Sequence, residues 1–188
     1  MERERSSTKL TYADYVALPD DDLRHEIIDG EHYVTPSPVT RHQRISRNLL
    51  HLIQTYLDTH PIGEIFGAPF DALLSEFDIV VPDVLYVSKE RARFLTEKNL
   101  QGPPDLVIEI LSPSTRSRDE RLKRNLYERV GVEEYWLVDL LRDVIHVYRR
   151  DEAQRFAPPM RYARGDVFST RLLPGLQLLV DSVLGPVS

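Results

Sequence analysis

The sequence predicts an α/β (α+β) domain in which helices flank a central mixed β-sheet. Asp78 to Val87 and Asp105 to Leu111 are nearly continuous apolar runs, which is typical of strands that are covered on both faces. Arg41 to Thr59 has apolar residues at helical spacing, which predicts an amphipathic helix. The predicted order of elements is helix, hairpin, helix, three strands, helix and hairpin, and this order fits a layered domain with a mixed sheet.

The remaining elements of the first half are shorter. Thr11 to Leu18 is predicted as a helix, and Glu26 to Thr35 as a hairpin that turns at Asp29-Gly30. Ile65 to Leu74 is predicted as the first of the three strands.

The second half begins with a helix that has signals at both ends. Ser117 and Glu120 have the spacing of a capping box, and Gly131 is placed to terminate a helix over 118–130. A hairpin is predicted to follow, with a turn at Arg142-Asp143. Its strands are Glu134–Leu140 and Val144–Arg149.

Composition restricts the class of protein. The 188 residues fit one domain, predicted over residues 11–188 after a disordered tail at 1–10. The chain has no cysteine, which excludes disulfides and thiolate metal sites. No apolar run approaches the ~18 residues of a membrane span, and the N-terminus lacks an apolar signal region, so the sequence predicts a cytoplasmic protein with no membrane partner. The net charge of −6 argues against tight, unspecific binding to nucleic acid.

Two carboxylates in apolar strands are the strongest functional signal. Asp83 and Glu109 each lie in a run that is predicted to be buried, where an uncompensated charge is costly. Asp105 shares a strand with Glu109, but four residues of strand separate them by ~13 Å, too far to share one ion easily. If the strand of Asp83 pairs beside that of Glu109, the two can hold one hard cation between them, as enzymes that cut phosphodiesters do.

Several motifs resemble a known family when they are taken together. In order they are HEIIDGEHYVTPSP, RHQRISRNLLHLI, VPDVLYVS, PDLVIEILSPST and a last run, from Arg121 to Asp139, that contains GVEEYWLVD. This series resembles the PD-(D/E)XK nuclease superfamily and, within it, the restriction-endonuclease branch called Uma-two, over roughly residues 11 to 181. The resemblance implies a restriction-endonuclease-like core, DNA as the partner, and Mg²⁺ (or Mn²⁺) held by Asp83, Glu109 and the carbonyl of Ile110.

The lysine of the superfamily motif is displaced in this sequence. The usual position, two residues after Glu109, is Leu111. The resemblance implies that Lys123, on the following helix, sends its ammonium to the same point and assists the attacking water or the transition state. It also implies Glu26, from the first hairpin, as a further acidic member of the catalytic set.

Basic and aromatic residues near these positions are candidates for supporting roles. By helical phase His42 lies on the inward side of its helix, whereas Arg44 lies on the opposite side. We predict that His42, Arg44 and Arg116 contact the substrate. Tyr127, one turn after Lys123, is predicted to pack in the core, with its hydroxyl placed to tether a carboxylate.

Three functions remain open at this point. The first is a metal-dependent DNA endonuclease, for which a homodimer is a candidate assembly because cutting both strands needs two sites. The second is a catalytically weak or inactive nucleic-acid-binding or assembly protein, which Leu111 and the acidic net charge favour. The third is a metal-dependent hydrolase of a smaller phosphoester.

Overall fold

A computed structural model describes residues 9–19, 21 and 23–186, and its elements are numbered here in chain order. The helices are α1 (Tyr12–Val16), α2 (Thr40–Thr59), α3 (Arg124–Val130) and α4 (Val180–Leu184), with a 3-10 helix at Ala92–Phe94 and a π-helical segment, Arg118–Lys123, directly before α3. The strands are β1 (Arg24–Ile28), β2 (Glu31–Thr35), β3 (Gly63–Gly67), β4 (Ala72–Ser75), β5 (Asp78–Val80), β6 (Val84–Ser88), β7 (Leu106–Leu111), β8 (Glu134–Asp139), β9 (Val144–Arg149), β10 (Met160–Ala163), β11 (Val167–Ser169) and β12 (Gln177–Leu179).

The central layer is a six-stranded mixed sheet in the order β10-β9-β8-β7-β6-β3. β7 and β8 are parallel, and the other neighbours are antiparallel. A four-stranded sheet, β2-β1-β5-β4, and a two-stranded ribbon, β11-β12, complete the fold. The predicted mixed sheet with flanking helices is confirmed, and so is the pairing of β6 with β7, where Val84 lies opposite Ile108.

The two faces of the central sheet pack against different helices. On one face Ile108 and Ile110 of β7 join a core with Ile45 and Leu49 of α2. On the other face Leu111 of β7 joins a second core with Leu126 and Tyr127 of α3. Side chains alternate along a strand, so Glu109 lies on the same face as Leu111 and points toward the segment that carries Lys123.

Two of the predicted strands are each broken into two. The run Asp78–Val87 forms β5 and β6 in different sheets, because Pro82 has no N–H to donate and cannot continue a ladder. The amide of Val81 donates instead to Glu26 Oε1 at 3.0 Å. The run Ile65–Leu74 is likewise divided between β3 and β4, with Pro69 in the connection. Continuous strands were therefore the wrong prediction at both places, and the first break leaves Asp83 at the entrance to β6.

The predicted capping box at Ser117 is also wrong. Ser117 has helical backbone angles and makes no capping hydrogen bond, because the helical turn starts earlier, where the Ser112 hydroxyl accepts the amide of Thr115 at 3.2 Å. Gly131 ends α3 with φ of 92°, as predicted. Glycine is suited to this left-handed conformation because it has no Cβ.

The predicted hairpins are confirmed. β1 and β2 pair around Asp29-Gly30, and β8 and β9 pair across the Arg142-Asp143 turn. Of the predicted disordered tail, residues 1–8 lie outside the described residues, whereas the amide of Leu10 donates to the Gly30 carbonyl at 3.0 Å. None of the helices in the described part of the chain is long and apolar enough to cross a lipid bilayer.

Candidate active site

Two carboxylates from neighbouring strands line one cavity. Asp83 directly precedes β6, and Glu109 lies within β7, the partner of β6. Both side chains are buried. The cavity has a volume of about 240 Å³, and its walls include residues 35–39 and 112–115. The strand pairing therefore brings together the two acids that the sequence predicts as a pair.

Asp83 is held by three donors. Its Oδ1 accepts a hydrogen bond from Arg24 Nη1 at 2.6 Å, and its Oδ2 accepts from the Ile110 amide at 2.8 Å and from His42 Nε2 at 3.0 Å. Burial alone would raise the pKa of this carboxyl, but His42 and Arg24 outweigh it and lower the pKa to about 2. Asp83 is therefore a fixed negative charge at neutral pH.

Lys123 is buried among three carboxylates. Its Nζ lies 2.7 Å from Glu26 Oε1, 2.9 Å from Glu109 Oε1 and 3.9 Å from Asp119 Oδ1. Burial opposes the charged ammonium, but the attraction of Glu109, Glu26 and Asp119 is larger and raises the pKa of Lys123. Lys123 is thus not on the strand, where the superfamily motif has its lysine. It reaches the carboxylates from the helical segment that covers their face of the sheet.

Glu109 is a buried acid whose surroundings disfavour its charged form. It accepts hydrogen bonds from Lys123 and from the Tyr127 hydroxyl, the latter at 2.8 Å. The pKa of Glu109 is raised to about 8: burial raises it most, Lys123 lowers it, and the nearby charges of Asp119 and Asp83 raise it. Lys123 and Arg118 carry two positive charges beside the three acids Glu26, Glu109 and Asp119, which favours a proton shared within the cluster near neutral pH.

The match of the chain to a family model decides its family. A model described as "Uma2: Putative restriction endonuclease" matches residues 12–181. The chain belongs to the Uma2 family. The resemblance of the sequence motifs to the Uma-two branch is thereby confirmed.

A solved structure has the same fold as this Uma2 protein. It is the crystal structure of a protein from Anabaena variabilis described as "a putative nuclease belonging to DUF820". The two agree with a TM-score of 0.78 at 20% sequence identity, and the match covers 93% of this chain and 97% of the other. Among curated proteins, none matches this chain.

The predicted substrate-binding residues lie in different surroundings. His42 lines the cavity and contacts Asp83. Arg44 is exposed on α2 and is not part of the cavity wall. Arg116 forms two hydrogen bonds with Asp139, at 2.8 and 2.9 Å. The structure brings only the first of these three side chains to the cavity, and contacts of Arg44 and Arg116 with a substrate stay predictions.

Three charged residues of the Uma2 cavity were not anticipated from the sequence: Arg24, Arg118 and Asp119. Arg24 is two residues before Glu26 and shares its face of β1, so strand alternation could have identified it. Asp119 is four residues before Lys123, which places both on one side of their helix. No pattern in the sequence identified Arg118. It lies 3.4 Å from Glu26 Oε2 because the hairpin packs against the helix, and such packing cannot be deduced from nearby residues.

The cavity offers a divalent cation few ligands, but they are oxygen atoms of the kind that such an ion uses. Within the described residues no three His, Cys, Asp or Glu side chains are grouped so that they could hold a metal ion. Asp83, Glu109 and the Ile110 carbonyl nevertheless form a small oxygen set of the kind that Mg²⁺ uses, since this ion keeps several waters and takes one or two carboxylates. In addition, Glu26 Oε2 and Asp119 Oδ1 are buried and have no hydrogen-bond partner in the described part of the chain.

The charge of the cavity also favours a cation. The ionisable groups beside it are the acids Glu26, Asp83, Glu109 and Asp119 and the bases Arg24, Arg118, Lys123 and His42. With His42 counted as neutral, the four acids against three bases leave one surplus negative charge when the other groups are ionised. A divalent cation would reverse that surplus and prepare the cavity for an anionic phosphodiester. The residues therefore fit Mg²⁺ or Mn²⁺.

Proposed function

We propose that this Uma2 protein is a metal-dependent endonuclease that hydrolyses DNA phosphodiester bonds. The single observation that carries the proposal is the buried cluster in which Asp83 and Glu109, from adjacent strands, share a cavity with Lys123. Charged side chains are rarely fully buried unless they are paired, and a cluster of them with shifted pKa values in a cavity is typical of a functional site. The family description gives the same class of activity.

Asp83, Glu109 and the Ile110 carbonyl would hold Mg²⁺ or Mn²⁺. Such an ion, when bound, lowers the pKa of a bound water and stabilises charge on the scissile phosphate. His42 and the Ile110 amide fix the orientation of the Asp83 carboxylate. The Tyr127 hydroxyl does the same for Glu109, so both acids are oriented by groups that do not themselves react.

Lys123 would supply the positive charge that the transition state needs. Its Nζ donates to Glu109 and lies 2.7 Å from Glu26, and an ammonium has three protons, so one remains for the attacking water or a phosphate oxygen. Glu26 positions Lys123 through Oε1. The other oxygen, Glu26 Oε2, has no hydrogen-bond partner in the described part of the chain and is placed to hold a second ion or a metal-bound water.

Arginine side chains would bind the substrate phosphates. Arg24 and Arg118 both line the cavity, and a guanidinium presents a planar pair of donors that matches a phosphate. Arg24 is paired with Asp83 at 2.6 Å, so a cation at Asp83 would release Arg24 for the substrate.

Nicking of a supercoiled plasmid tests this proposal. The wild-type protein should nick in Mn²⁺ and not in EDTA, and Glu109→Gln should abolish nicking. Glu97→Gln changes an exposed glutamate and serves as the matched control that keeps full activity. DNA binding without nicking would favour the inactive binding or assembly protein, and turnover of a small phosphoester without nicking would favour the third function.

Cleavage of both strands would require two such cavities, and a homodimer would supply them. Sedimentation of the protein with and without DNA tests this: a monomer that makes double-strand breaks would contradict the homodimer.

A further inference from the structure

The candidate catalytic groups line a cavity and are almost completely buried. The exposed fractions of Glu26, Glu109 and Lys123 are 0%, 2% and 2%. The cavity that they line has a volume of about 240 Å³. An unpaired nucleotide can be turned into such a cavity without the unstacking and unpairing energy that a duplex would cost. The burial of the cluster therefore points to an unpaired strand.

A second cavity opens directly beside the first. It has a volume of about 660 Å³ and is called here the aromatic groove; its lining includes Tyr12, Tyr15, Val16, Leu23 and Gln43. The two cavities share Arg24 and residues 35–38 in their walls. A strand whose phosphate lies at the catalytic cluster can therefore place its neighbouring nucleotide in the groove.

The chemistry of the groove suits a nucleobase. The rings of Tyr12 and Tyr15 are 6.2 Å apart and tilted by 20°, and Val16 and Leu23 are 64% and 44% exposed. Aromatic and apolar walls of this kind stack bases of any sequence. The amide of Gln43 adds a donor and an acceptor for a base edge.

The charges of the groove do not suit a row of phosphates. Asp21 and Asp71 lie in its wall together with Arg24 and His25, and His25 Nε2 is already 2.8 Å from Asp21. Among the described residues the groove is therefore not basic, whereas a backbone track is normally basic throughout. Arg24, at the junction of the two cavities, is placed to meet a phosphate.

We propose that the aromatic groove binds an unpaired nucleotide adjacent to the scissile phosphate, so that the substrate is single-stranded or locally unpaired DNA. This proposal rests on the proposed function for the identity of the neighbouring site. It adds a base-binding subsite and a substrate class to that function.

The test measures binding in EDTA, where cleavage does not occur. The probe is a fluorescein-labelled single-stranded oligodeoxynucleotide, compared by fluorescence anisotropy with its duplex and with a strand of the same length made of abasic residues. We expect the single strand to bind about tenfold more tightly than either of the others, because one stacked base is typically worth roughly this factor.

Val16→Glu and Val167→Glu form a matched pair of variants. Both valines are exposed, at 64% and 51%, and both changes add one negative charge, but only Val16 lines the groove. Val16→Glu should weaken binding of the single strand by about tenfold, and Val167→Glu should leave it within twofold. Leu23→Glu repeats the test at a second position of the groove, which covers the case in which Val16→Glu lowers the melting temperature.

Equal affinity for the abasic strand and the normal strand, or equal effects of the two valine variants, would overturn the proposal. Failure of the nuclease function gives a different result. In that case the single strand binds through the groove in EDTA, but no DNA is cut when Mn²⁺ is added.

Discussion

The pH dependence of stability gives a quantitative test of the buried cluster. The pKa of Glu109 is raised from the ordinary 4.5 to about 8, so the folded protein retains a proton that the unfolded chain has lost. The contribution of this protonated group to the free energy of unfolding is therefore fully present below about pH 4.5. It is lost as the pH rises through about 8. At about 1.4 kcal/mol per pH unit, this interval corresponds to a loss of at most about 5 kcal/mol.

Urea denaturation between pH 5 and pH 9 measures this loss. The wild-type protein should lose several kcal/mol over this range, and Glu109→Gln, which cannot ionise, should lose much less. Glu97→Gln, the exposed control, should follow the wild type. At pH 8.5, Mn²⁺ should restore stability to the wild type but not to Glu109→Gln, because the ion takes the place of the proton. Parallel curves for the wild type and Glu109→Gln would refute the assignment of the proton to Glu109.

Three further predictions concern single side chains. Lys123→Met should keep binding of Mn²⁺ and DNA but reduce nicking by about 10²–10³-fold, whereas Arg124→Met, a half-buried neighbour outside the cavity wall, should leave the nicking rate unchanged; equal losses would make Lys123 part of a basic surface only. Tyr127→Phe should lower the free energy of unfolding by about 1 kcal/mol by removing one buried hydrogen bond, as measured in urea; an unchanged midpoint would contradict it. Arg116→Met should cost about 1–2 kcal/mol of stability because Asp139 loses one of its charged donors while Arg142 and two amides remain, and unchanged DNA affinity of the folded variant would assign Arg116 a structural role.

The parts of the fold that follow from local patterns were predictable. Alternation and apolar runs identified β7 and its burial, and Gly131 identified the end of α3. The placement of Asp83 beside Glu109 was predictable because two buried acids are costly unless they are compensated; in the structure Arg24 pairs with Asp83 and Lys123 pairs with Glu109. These inferences need only residues that are close in sequence or that share one strand.

The parts that depend on distant packing were not predictable. The ion pair of Arg116 with Asp139, which is 23 residues away at a strand end, was not foreseen, and the contact of Arg116 with a substrate stays a prediction. The break at Pro82 was missed because the apolar pattern continues through it. Asp119 was missed because an aspartate on a charged helix is typical of a solvated face, and its burial arises from the packing of the π-helical segment against β7.

An anomalous-difference map from a crystal soaked in MnCl₂ tests the central claim most directly. The claim is that Asp83, Glu109 and the Ile110 carbonyl hold a divalent cation beside Lys123. It predicts a peak with oxygen ligands from these residues at ~2.0–2.2 Å, and loss of that peak in Glu109→Gln crystals. A map with Mn²⁺ bound elsewhere and none between the two carboxylates would contradict the claim.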